Sequence, residues 1–108
     1  MKLHTCAATL LILTAGIPAA HAASGDAWAE FRTNVSKACI AASKGLIENG
    51  KALVDDFGSE SYGLAVVSGK AVGAKVTIST ICVFDKKTKK AEIGGEISSE
   101  RLLVKTGK

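Results

Sequence analysis

A chain of 108 residues with 47% apolar and 22% charged residues is enough for one small domain and belongs among globular chains, which excludes a disordered one. Fourteen lysines and arginines against ten acids give a net charge of +4, enough for weak, salt-sensitive attraction to acidic surfaces and nothing sharper.

The first 22 residues read as a secretory leader. Lys2 supplies a positive start, Ala7 to Ile17 is an apolar run of 11 residues, and Ala20-His21-Ala22 after Pro18 has the small-x-small form of a cleavage site. The run is too short for a membrane anchor, which needs about 20 apolar residues. Cleavage after Ala22 is expected to leave 86 residues with a net charge of +3, 23–108, as a single domain in the periplasm or outside the cell, with no transmembrane segment.

Losing the leader removes His4 and His21, and with them every imidazole, so mechanisms built on Ser-His-Asp, Cys-His or a His-ligated metal are excluded from the trimmed chain. Cys6 goes as well. The remaining cysteines, Cys39 and Cys82, are expected to form a disulfide, since an even pair in a small exported domain is most simply a bridge and no Cys-x-x-Cys spacing is present.

From Ala27 to Asn49 the spacing predicts a helix. Trp28, Phe31, Val35, Cys39, Ala42 and Leu46 recur at intervals of three and four and form one apolar stripe, with Ser24 or Asp26 as the starting cap and Asn49-Gly50 as the stop. Arg32, Lys37, Lys44 and Glu48 are assigned to its solvated side. Beyond it the period shortens to two. Ala52 to Phe57 is a candidate short strand, Tyr62 to Ser68 a second, and Lys75 to Asp85 a third that sets Val76, Ile78, Thr80, Cys82 and Phe84 on one face. Asp85 to Lys90 reads as a hairpin turn, and Ala91 to Ile97 as its returning strand, with a bulge or kink at Gly94-Gly95. Ser98 to Lys105 fits either a helical turn or an edge strand.

Cys39 lies on the helix stripe and Cys82 on the apolar strand face. Two independent periodicities therefore aim both thiols at one helix–sheet interface. The expected fold is α+β: a long N-terminal helix packed on an antiparallel sheet of three to four strands and tied to it by a disulfide. The arrangement resembles the cystatin-like one, a shape shared by inhibitors, binding domains and enzymes.

Three stretches, Trp28-x-x-Phe31 opening a helix that holds Cys39, Asp56-Phe57-Gly58-Ser59-Glu60-Ser61-Tyr62-Gly63-Leu64-Ala65, and Ile81-Cys82-Val83-Phe84-Asp85-Lys86-Lys87-Thr88, make the chain similar to small exported proteins of Gram-negative bacteria, alphaproteobacterial in type. That resemblance implies periplasmic location and a disulfide, and transfers no activity, ligand or catalytic residue. Small periplasmic lysozyme inhibitors are similar in size, charge and cysteine number, but their motif residues are not found here.

Two clusters are candidate sites. Asp55, Asp56, Phe57, Glu60 and Tyr62 gather carboxylates and aromatic rings in one loop, the composition of a recognition loop with aromatic anchors. The same oxygens suit a hard cation, although the alternating register of a calcium loop is absent. Lys86, Lys87, Lys89 and Lys90 place four positive charges on a hairpin tip, where they either keep the turn solvated or touch an anionic envelope surface; no aromatic is interleaved for nucleic acid.

These features lead to the expectation of a non-catalytic binding or structural protein with an envelope or secreted protein as partner and no cofactor. The alternatives are an inhibitor of a secreted hydrolase, and a hydrolase working with carboxylates alone through Asp55, Asp56 and Glu60.

Overall fold

The computed structural model describes residues 17–102, with side chains from residue 24 onward. Residues 1–16 of the expected leader and the tail from residue 103, with the end of the ambiguous segment at Lys105, lie outside these residues.

One helix, α1 (Ile17–Ala42), precedes five strands: β1 (Ile47–Val54), β2 (Tyr62–Ala71), β3 (Thr77–Asp85), β4 (Ala91–Ile93) and β5 (Ile97–Ser98). All pairings are antiparallel, in the order β1-β2-β3-β4, with β5 also on β3. The expected helix-on-meander α+β fold is therefore present.

The helix differs from expectation at both ends. It begins at Ile17, ahead of the proposed caps Ser24 and Asp26, and Pro18 falls in its first turn, where a missing N–H breaks no helical bond. It stops at Ala42 because Ser43 closes it. The Ser43 amide donates to Cys39 O at 3.1 Å, its buried hydroxyl donates to Ile40 O at 3.0 Å, and its own carbonyl accepts the Ile47 amide at 2.8 Å. Ala42 is exposed, and Leu46, Lys44 and Glu48 lie beyond the helix.

The segment from Ile47 pairs with β2 instead. Asn49-Gly50 interrupts that ladder between Glu48 and Lys51, with Asn49 at φ 52°, so the pair read as a helix stop forms a β-bulge. The strand expected at Ala52 to Phe57 thus starts five residues earlier and ends at Val54.

The core lies between α1 and one face of the sheet. Val35 and Cys39 from the helix meet Ile47, Ala65, Val67, Ala71, Ile78, Cys82 and Phe84, all buried. Val76, expected on that face, is exposed ahead of β3. The Cys39–Cys82 disulfide joins helix to sheet across a Cα–Cα distance of 5.9 Å, closing 43 residues of chain. Constraining a loop of that length contributes about 4 kcal/mol in the chain-entropy picture.

Close packing depends on Gly63, where an added Cβ would lie 2.6 Å from Val35 Cγ2. At the far edge, Gly94-Gly95 splits the returning strand into β4 and β5. Both glycine carbonyls lie 2.9 Å from the buried Thr80 hydroxyl, which holds the kink against the core.

Candidate recognition site

The loop between β1 and β2 builds its own frame. Asp55 Oδ1 accepts the Phe57 amide at 3.2 Å and the Gly58 amide at 3.1 Å, a side-chain turn that Gly58 continues at φ 73°. Ser59 closes the second half: its amide donates to Tyr62 O at 2.8 Å, and its hydroxyl accepts the Tyr62 amide at 3.2 Å.

A second layer comes from distant sequence. Lys86, just after β3, donates from its amide to Ser61 O at 3.0 Å, and from Nζ to Phe57 O at 3.1 Å and Ser59 O at 2.6 Å. The same ammonium lies 5.2 Å from the Phe31 ring and 5.7 Å from the Trp28 ring, within cation–π range. Edge-to-face contacts then run from the core to the loop: Phe84 to Phe31 at 6.3 Å, Phe31 to Trp28 at 5.4 Å, and Trp28 to Phe57 at 4.9 Å. The two clusters that looked separate in sequence thus meet at Lys86.

Their members divide by role. Asp55 is engaged in the turn, and Phe57, though half exposed, leans on Trp28. Asp56 and Glu60 are exposed and make no hydrogen bond or ion pair among the described residues. Tyr62 pairs with Asp85 across the strands and belongs to the sheet face turned away from α1, so it does not join Phe57 in one aromatic anchor.

The hairpin tip is ordered by Asp85, whose Oδ1 accepts the amides of Lys87 at 2.8 Å and Thr88 at 3.0 Å. Those two bonds, Thr88 first, hold the carboxyl below its ordinary pKa, with the Lys87 charge adding to the effect. Lys89 completes the turn at φ 67° and donates to Lys86 O at 2.9 Å. The lysines consequently diverge. Lys86 and Lys89 border a hollow of about 250 Å³ with Ala27, Trp28 and Phe31. Lys87 lines a depression of about 460 Å³ with Glu60, Ser61, Tyr62, Asp85 and Lys86. Lys90 borders a third, of about 280 Å³, with Tyr62, Val83 and Glu92.

Among the described residues no three Asp, Glu, Cys or His side chains converge as metal ligands, and no helix is long and apolar enough to cross a membrane. Trp28 and Phe31 belong to the helix stripe in sequence, and neither their spacing of three nor Lys86, one of four lysines on the hairpin, signals by itself that they join the loop. No family model, curated protein or solved structure matches the chain.

Proposed function

We propose that the protein is a non-catalytic binding module of the bacterial envelope, exported with loss of residues 1–22, that recognises another envelope or secreted protein through the Asp55–Tyr62 loop. The observation behind this reading is the bracing of the loop by Asp55, Ser59, Lys86 and Trp28 while Asp56 and Glu60 stay exposed. A loop already held in one shape loses little conformational entropy when a partner docks, so its charged side chains work at lower ordering cost. The disulfide suits an oxidising compartment. Absence of histidine from the trimmed chain argues against acid–base chemistry near neutral pH.

A rigid loop on a cross-linked scaffold is also how protein inhibitors of hydrolases present themselves, and this is the second reading. Cross-linking of the oxidised protein in periplasmic extract, compared with Asp56→Ala/Glu60→Ala, tests the first. The expected result is a stoichiometric partner that the double variant fails to capture; identical capture by both proteins overturns the reading. Loss of the captured partner's hydrolytic activity on binding selects the inhibitor.

A further inference from the structure

The helix covers one face of the sheet, and the other face is apolar at its centre. Leu53, Val66 and Ile81 are direct cross-strand neighbours on β1, β2 and β3, forming a row of large aliphatic side chains. Leu53 is 70% exposed and Ile81 54%. In the adjoining row Leu64 stands opposite Val83. A sheet with one solvated face alternates apolar with polar, whereas β2 and β3 are apolar on both sides at their centres, the pattern of strands covered twice.

We propose that this face is the contact between two copies of the chain, stacked sheet on sheet with their strands reversed. Charge at the ends of the face supports a second copy as the occupant. Beyond the aliphatic row in one direction stand Lys51 and the Glu48–Lys70 ion pair, bonded at 3.3 Å, which leaves one positive charge in excess. In the other direction stand Asp85, Glu92 and Lys90, with Asp55 at the end of β1 and Glu60, Lys86 and Lys87 around the adjoining depression, an acidic excess of four carboxylates against three lysines.

A two-fold axis along the Leu53–Val66–Ile81 row lays that row on its own counterpart and exchanges the ends. The basic end of each copy then faces the acidic end of the other, the self-complementarity a symmetric dimer requires. Between the row and the basic end, Ser79 is already buried and its hydroxyl is bonded to that of Ser68 at 2.6 Å, so covering this part of the face leaves no unpaired group. Pairing through the β1 edge is disfavoured by the bulge at Asn49-Gly50 and by Lys51, which leaves the face as the apolar surface to cover.

Sedimentation equilibrium of the isolated protein with its disulfide intact tests the proposal. The expected result is a reversible dimer whose dissociation constant rises on the order of tenfold or more with either Leu53→Glu or Ile81→Glu. Lys51→Glu should raise it several-fold, and Lys37→Glu, on the helix, should leave it unchanged. Both Glu substitutions fall at exposed positions, and Trp28 emission checks that each variant is folded. A monomer at concentrations up to about 0.5 mM overturns the proposal. So does a dimer indifferent to both Leu53→Glu and Ile81→Glu, which would place the contact elsewhere.

Discussion

Lys86 donates to the main-chain oxygen of Phe57 at 3.1 Å, joining the hairpin that follows β3 to a loop 29 residues earlier in the chain. Through that bond and its companion to Ser59 O, a surface lysine acts as a strut for the candidate recognition loop. Replacing it with methionine keeps much of the aliphatic stem and removes the charge-assisted bonds. Lys86→Met should lower stability by about 1 kcal/mol. It should also shift the emission of Trp28, the single tryptophan, as the ammonium leaves its ring. Denaturant unfolding followed by fluorescence reads both effects.

Gly63 should tolerate no side chain. An alanine there meets Val35 Cγ2 from the helix and, at 3.2 Å, the Phe31 ring, so helix and sheet must separate or repack. Gly63→Ala is expected to cost about 1–3 kcal/mol. Gly95→Ala, with open space around it, serves as the comparison and should change stability far less. Equal unfolding midpoints for the two variants would contradict the packing described.

Reduction of Cys39–Cys82 should remove roughly 4 kcal/mol by restoring freedom to the unfolded chain. Both cysteines are fully buried, so a mild reductant should act slowly on the folded protein and readily once denaturant is added. Parallel urea titrations with and without reductant measure the loss as a drop in midpoint.

Asp85 gives the hairpin a pH dependence of definite sign. Its folded-state pKa is depressed by the Thr88 and Lys87 amides, so its contribution is complete above the ordinary carboxylate value of about 3.9 and is lost as pH falls through the lowered one. Titration of the side-chain carboxyl by NMR should give a midpoint below that ordinary value. Asp85→Ala should abolish this acid transition and raise amide exchange at Lys87 and Thr88.

The fold was largely legible in the sequence because its two main signals are local. Val35 and Cys39 follow a helical period, Ile78, Thr80, Cys82 and Phe84 a strand period, and their convergence on the disulfide is observed. The helix end is not legible there, for a physical reason. Leu46 continues the spacing of the stripe, and Asn49-Gly50 satisfies a helix cap and a β-bulge equally well, since both require a left-handed backbone. Pairing of Ile47 to Val54 with β2 decides between them, and that information lies up to 24 residues away.

The candidate site was legible only in part. Composition marked the acidic loop and the basic hairpin, but their joining at Lys86 depends on tertiary geometry, as does the separation of Phe57 from Tyr62. Val66 and Ile81 were visible as members of apolar runs. That they align with Leu53 in one row follows from register, which no single strand reveals.

The central claim, that the loop is held in one shape before any partner arrives, is tested most directly by backbone ¹⁵N relaxation of the free oxidised protein across Phe57 to Tyr62. Bracing by Asp55, Ser59 and Lys86 predicts order parameters near about 0.85, matching those of β2 and β3. Values below about 0.6 across the loop, beside rigid strands, would contradict the account.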